Sequence, residues 1–284
     1  MGHHYVPQEY LRPFEVASAP GTVLTYDKKE LSCKQLPIKI VAQAPNFYEA
    51  DVEAELASRL EGPANIILAE LRNLRPISTE QREHFAIYTT TMMKRVPRRR
   101  RIARDETAPK AIEKTINELL ESIRHWAQTA TDQELVKRRF AEVERIRQQF
   151  QEELPKEVSD QIDSPWPTVR MIESVASMTW RVAFTRGPQF FITSDNPAFF
   201  FEAYGTGNPD SEIAFPLAPN VALMCDRKGA PGATFPVEVK QKIVREVNRR
   251  MVASAERLIF AHQPQPWLVN TMKKPRPFLS RIGW

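Results

Sequence analysis

F-F-I-T-S-D-N-P-A-F-F-F, residues 190–201, and E-I-A-F-P-L-A-P-N-V-A-L-M-C-D, residues 212–226, each set two apolar runs around a turn of Pro, Asn or Asp. Short apolar runs bounded by such residues read as strands, and L-I-F-A at 258–261 reads as a returning one. A small sheet is therefore expected between 189 and 261. Pro236 can start a last helix that carries Val239, Ile243, Val247 and Met251 on one face. Upstream, Val169, Ile172, Val175, Met178 and Val182 recur at helical spacing after Pro167, with small Ser174, Ala176 and Ser177 between them. That pattern predicts a central helix buried on several sides.

The middle of the chain keeps the helical period. Ile112, Ile116, Leu119, Ile123 and Trp126 step by four, three, four and three. Thr131 with Glu134 can cap a following helix, whose Val136, Phe140, Val143, Ile146 and Phe150 form one stripe among charged faces. The two predict a long antiparallel hairpin. Earlier, Ser78 and Gln81 form a capping box for a helix bearing Phe85, Tyr88 and Met92, which Pro97 should stop or bend. Asp51 can cap another helix, which Gly62-Pro63 kinks or ends. At the start, T-V-L-T-Y at 22–26 and K-Q-L-P-I-K-I-V at 34–41 read as a hairpin.

The expected class is α+β: mostly helical, with a small, mainly antiparallel sheet formed by the N-terminal strands and the 189–261 region. Residues 1–284 read as a single domain, from which the charged hairpin at 105–160 can project. The tail from Gln263 has no regular period.

Composition narrows the partners. The net charge is +5 with a pI near 9.2, a modest excess in the direction of a nucleic-acid or phosphate-bearing partner. The excess is concentrated at Lys94, Arg95, Arg98, Arg99, Arg100, Arg101 and Arg104. No long apolar run is present and no basic-then-apolar leader, so neither a membrane partner nor a signal peptide is expected. The two cysteines, Cys33 and Cys225, have no metal or disulfide spacing and read as inert core thiols in a reducing compartment. A cytoplasmic location follows as the expectation. No Gly-rich phosphate loop, G-x-S-x-G or H-E-x-x-H occurs, which removes the corresponding templates.

Chemistry concentrates in the opening run G-H-H-Y-V-P-Q-E-Y-L-R-P-F, residues 2–14. Imidazole titrates near neutrality, so His3 and His4 beside Gln8, Tyr10 and Arg12 can move a proton, hold a metal or grip phosphate. Adjacent residues of an extended chain point to opposite sides, so one of the two histidines faces a given site, and His4 shares its parity with Gln8, Tyr10 and Arg12. The second candidate is Ser194, Asp195 and Asn196, whose bland reading is a turn that bonds its own backbone. Asn248 on the last helix can be a simple packing hydrogen bond.

The order H-H-Y-V-P-Q-x-Y-L-R-x-F, N-F-Y at 46–48, M-K-R-V-P at 93–97, I-T-S-D-N-P at 192–197, P-L-A-P at 216–219 and Asn248 resembles the landmarks of a bacterial family of unknown function, numbered 4238, over nearly the whole chain. Glu9 stands where that pattern suggests an aromatic, and the polar residues of the motif are untouched. The resemblance implies that the opening run belongs to the folded body. It implies no activity.

Two functions remain as expectations. In one, the protein is a phosphodiester-acting, nuclease-like enzyme: His4, Gln8 and Asp195 are catalytic, and His3, Tyr10, Arg12, Arg95, Ser194, Asn196 and Asn248 contact the substrate. A divalent cation is allowed there, of unknown identity. In the other, the same polar residues are structural and the chain is a non-catalytic module that binds nucleic acid or protein. The enzyme reading requires His4 and Asp195 to be neighbours.

Overall fold

The computed structural model describes residues 2–45, 50–200 and 207–275. The chain divides into two compact units, 1–96 with 166–284 and 97–165. The N-F-Y landmark at 46–48, the end of the 190–201 run at Phe201 and the last nine residues lie outside the described residues.

In the first unit, β1 (Gly2–His4) leads into a single helical turn, α1 (Gln8–Leu11). The hairpin β2 (Thr22–Asp27) and β3 (Ser32–Pro37) follows, then β4 (Gln43–Pro45), which pairs antiparallel with β1. The second hairpin strand is shorter than expected because residues 38–40 wind into a 3-10 turn after Pro37. Helix α2 (Ala50–Glu55) passes through one wide turn at Leu56–Glu61 into α3 (Gly62–Arg72), so Gly62-Pro63 does not end it. Ser78 and Gln81 form the expected reciprocal cap of α4 (Thr79–Lys94).

The second unit contains α5 (Pro97–Ile102), α6 (Ala108–Ala127), α7 (Gln133–Glu152) and α8 (Lys156–Asp163). Asp132, rather than Thr131, caps α7 by accepting from the Leu135 amide at 2.9 Å. Ile116, Leu120, Ile123 and Val143 make the unit's own small core. Arg147 reaches Glu113 and Asn117, while Trp126 and Leu135 line one groove at the opposite end, an antiparallel register.

The first unit resumes with α9 (Val169–Ala176), β5 (Thr179–Phe184), β6 (Thr193–Ser194), β7 (Phe199–Phe200), β8 (Ile213–Ala218), β9 (Val221–Asp226) and β10 (Thr234–Glu238). Helix α10 (Gln241–Ser254), β11 (Leu258–Ala261) and α11 (Pro266–Lys273) complete it. The expected central helix therefore ends two turns after it begins. Arg82 on α4 explains the break: its buried guanidinium donates to the carbonyls of Ala176, Met178 and Ala233, and so holds the end of α9 and the entries to β5 and β10. The same group lies 4.0 Å from the Trp180 ring centroid.

The class is α+β, but the strands form more than one sheet. β3-β2-β11-β6 is antiparallel, whereas β10-β5-β9-β8-β7 is mixed, because β10 runs parallel to β5. Pro236 sits in that edge strand, where a missing donor costs least, and does not start the helix. The decisive 212–226 run works by period two. Ile213, Phe215, Leu217, Val221, Leu223 and Cys225 face one core, while Ala214, Ala222 and Met224 face the other. Both faces are covered, which is why β8 and β9 read as nearly continuous apolar runs. Cys33, by contrast, is exposed, and only Cys225 is a core thiol. Residues 266–273, within the stretch expected to lack regular structure, form α11. Among the described residues no helix is long and apolar enough to cross a membrane.

Candidate functional site

The opening segment enters the body through its backbone. Tyr5 donates its amide to the Ala42 carbonyl at 3.0 Å, and the buried Arg95 donates to the His4 carbonyl while pairing with Glu61 at 2.5 Å. Five residues on, the Tyr10 hydroxyl lies 2.6 Å from the Pro216 carbonyl and 2.7 Å from Thr193 Oγ1. A hydroxyl has one proton and a carbonyl only accepts, so Tyr10 donates to Pro216 and accepts from Thr193. The opening run, I-T-S-D-N-P and P-L-A-P thus meet at one buried phenol. Burial pushes its pKa well above the ordinary tyrosine value. Arg72 closes the junction from α3, donating to the Leu217 carbonyl at 2.8 Å.

Asp195 lies close by but faces another way. It is 2 % exposed, and its Oδ1 accepts from the Glu256 amide at 2.8 Å. Oδ2 accepts from the amides of Arg257 and Leu258, both at 2.7 Å. Burial raises its pKa to about 6, against the opposing pull of those three N–H groups. Its charge reaches Tyr5, whose hydroxyl is pushed up first by burial and then by Asp195 and Glu256. Tyr5 is therefore an opening residue that stands near Asp195.

The neighbouring motif residues serve the same seam. Ser194 Oγ donates to Met251 Sδ and accepts from the Asn196 amide at 3.1 Å. Asn196 Nδ2 donates to the Ser254 carbonyl at 3.0 Å. Asn248 Oδ1 accepts from the Ile192 amide and its Nδ2 donates to the Phe190 carbonyl, fastening α10 to the strand before the turn.

The His4 ring makes a different contact. Its Nε2 is 3.1 Å from the Lys39 carbonyl, so Nε2 carries a proton and Nδ1 holds the lone pair when the ring is neutral. Together with Pro7, Gln8, Glu9, Glu53 and Glu61 it walls an open, polar cavity of about 260 Å³. On α4, the hydroxyls of Tyr88 and Thr91 are buried with no hydrogen-bond partner among the described residues. Tyr88 feels the charges of Glu61 and Arg95. Arg12 is exposed, held to Glu9 at 2.6 Å and to Glu15 at 3.4 Å. The His3 side chain is outside the described ones, although its backbone pairs with Ala44.

The structure brings together His4, Gln8 and, from behind, Arg95; it brings Tyr10 to Thr193; and it joins Ser194, Asn196 and Asn248 to the α10–β11 seam. Among the described residues no hydrogen bond or ion pair links His4 to Asp195, and Arg12 reaches neither. No group of three or more His, Cys, Asp or Glu side chains among them is placed to hold a metal ion. Glu53, Glu61 and Arg82 were not singled out from sequence, and Tyr88 only as an apolar position of its helix. Glu61 could have been paired with Arg95 by charge alone, but nothing in the spacing marks Glu53 or Arg82.

A family model described as Protein of unknown function (DUF4238) matches residues 2–265. No curated protein and no solved structure matches the chain.

Proposed function

The chain belongs to the DUF4238 family, and from that premise we propose that it is a non-catalytic binding module whose landmark polar residues tie the fold together, with the arginine-rich helix α5 as its contact surface for nucleic acid. One observation carries the reading: the carboxylate best placed by sequence for catalysis, Asp195, has both oxygens committed to backbone amides. A base or metal ligand needs an oxygen that faces the reaction, and this one faces main chain. Arg95 is committed likewise, to Glu61 and the His4 carbonyl. Support for the surface is the run of four arginines in the six residues of α5, of which Arg101 is exposed and Arg98, Arg99 and Arg100 are half-buried, in a protein of net charge +5.

The test is fluorescence anisotropy of the full chain with a random-sequence duplex and a single strand over a range of salt. Binding that weakens steeply as salt rises, and weakens further in Arg98→Gln/Arg101→Gln with unchanged melting, is the expected result. Cleavage of the strand, abolished by His4→Ala, restores the enzyme reading and sinks this one.

A further inference from the structure

We propose that the hairpin of α6 and α7 is a dimerisation surface, on which the hairpin of a second copy of this chain packs to form a four-helix bundle. The surface is made by these two helices alone and does not depend on nucleic-acid binding by α5.

The hairpin's own core takes Ile116, Leu120, Ile123 and Val143. A second apolar set lies outside it. Leu119, Trp126 and Leu135 line, with Ile146, a groove of about 550 Å³ between the helices, and the first three remain 46 %, 40 % and 38 % exposed. A contiguous apolar patch of this kind, set among charged residues, marks an interaction surface rather than a solvated face. Each helix has 20 residues, which gives a length of about 30 Å. With axes about 8–10 Å apart the hairpin offers a face of roughly 30 by 20 Å. Two such faces bury about 1,200 Å², enough for a stable interface at the lower end of the usual range.

The order of side chains along α7 identifies the occupant as a second copy. Leu135, Arg139, Glu142 and Ile146 all line the groove, and steps of four, three and four residues keep them on one helix face. Read from either end, the order is apolar, charged, charged, apolar, and the two charges are opposite. A two-fold axis that crosses α7 between residues 140 and 141 therefore sets Leu135 against the second copy's Ile146 and Arg139 against its Glu142, with each contact made twice. The same axis exchanges Leu119 with Trp126, which stand equally far on either side of the point between residues 122 and 123. Counted from the contact of Arg147 with Asn117, those two residues lie level with 142 and 141 on antiparallel α7. Arg139 and Glu142 already pair at 2.8 Å within one helix, so in the dimer the four charges alternate around the axis. That alternation fixes register and orientation.

Sedimentation velocity of the full chain at concentrations up to about 100 µM tests this. The expected species is a dimer, of twice the chain mass of 32.7 kDa, with a Kd of about 10 µM or tighter. Arg139→Glu and Glu142→Arg each set like charges face to face across the axis, so either variant alone dimerises at least about tenfold more weakly. An equimolar mixture of the two variants restores dimerisation, because every pair across the axis is again opposite in sign. Only a contact between chains gives that rescue, since within each variant helix the two charges remain alike. If a charge variant loses its helical circular dichroism, Leu119→Gln reads the same surface, with dimerisation again weakened about tenfold or more. A wild-type chain that stays monomeric overturns the proposal and leaves the groove to an unlike protein. A mixture that associates no better than the single variants, or a Leu119→Gln chain that dimerises as wild type does, overturns it as well.

Discussion

The opening run and the S-D-N-P turn carry the same kinds of side chain, yet the fold uses them differently. Around Asp195, every carboxylate oxygen has a main-chain donor, and Ser194 and Asn248 are likewise taken up by neighbours, with Asn196 Oδ1 the exception, buried without a partner among the described residues. Around His4, an open cavity is walled by Gln8, Glu9, Glu53 and Glu61, and Glu53 has no hydrogen bond or ion pair among the described residues. Residue type alone does not separate structural from available polar groups. What separates them is whether the backbone has already used their hydrogen-bonding capacity.

The strongest way to break this contrast is Asp195→Ala. It removes the acceptor of three part-buried amides, each at roughly 1 kcal/mol, less the desolvation the charge no longer suffers, for a net loss of about 2–3 kcal/mol in urea unfolding. A loss below about 1 kcal/mol would mean that the turn does not depend on the carboxylate. Comparable in size is Arg95→Met, which leaves Glu61 and the His4 carbonyl without their buried partner and should lower stability by about 3 kcal/mol. Asn248→Ala removes two hydrogen bonds to the 190–192 backbone, at a cost of about 2 kcal/mol. The smallest effect is expected from His4→Ala, which gives up one partly exposed hydrogen bond and should fall within about 1 kcal/mol of wild type.

Acid titration sharpens the same comparison. The Asp195 pKa is raised in the folded chain, from the ordinary value near 4 to about 6. The folded protein thus holds this proton more tightly than the unfolded chain does. Its contribution to stability is fully present below about pH 4 and is lost as pH rises to about 6. Unfolding free energies measured across that window should therefore show a declining component that Asp195→Ala flattens. An unchanged slope in the variant would place the titration elsewhere.

Much of the first unit's outline was legible because its strands obey period two and its helices carry ordinary signals, such as the Ser78–Gln81 box. The break between α9 and β5 was not. Val169 through Val182 satisfy a helical period, and the residue that stops the helix, Arg82, is nearly a hundred positions away on α4. Local pattern cannot report a guanidinium delivered by tertiary structure. Pro236 was misread for a related reason: a proline that can begin a helix is also tolerated at a sheet edge, and only the topology decides. The division into an antiparallel and a mixed sheet was hidden too, since β10 joins β5 in parallel across fifty residues.

The candidate site was half legible. The landmark motifs do converge, at Tyr10, Thr193 and Pro216, while no hydrogen bond or ion pair joins His4 to Asp195 among the described residues. A histidine at a terminus draws attention by its chemistry, whereas a tyrosine among apolar residues looks like core. Glu53 was invisible for the opposite reason: it is one of many glutamates on a helix, and a missing partner leaves no mark in the sequence.

Native-state hydrogen exchange at the amides of Glu256, Arg257 and Leu258 tests the central contrast most directly. If the Asp195 carboxylate is locked onto them, all three exchange as slowly as the most protected amides of β11, through opening of the whole unit. Exchange at rates typical of an exposed loop would show that the carboxylate is available after all, and would contradict the assignment of this turn to structure.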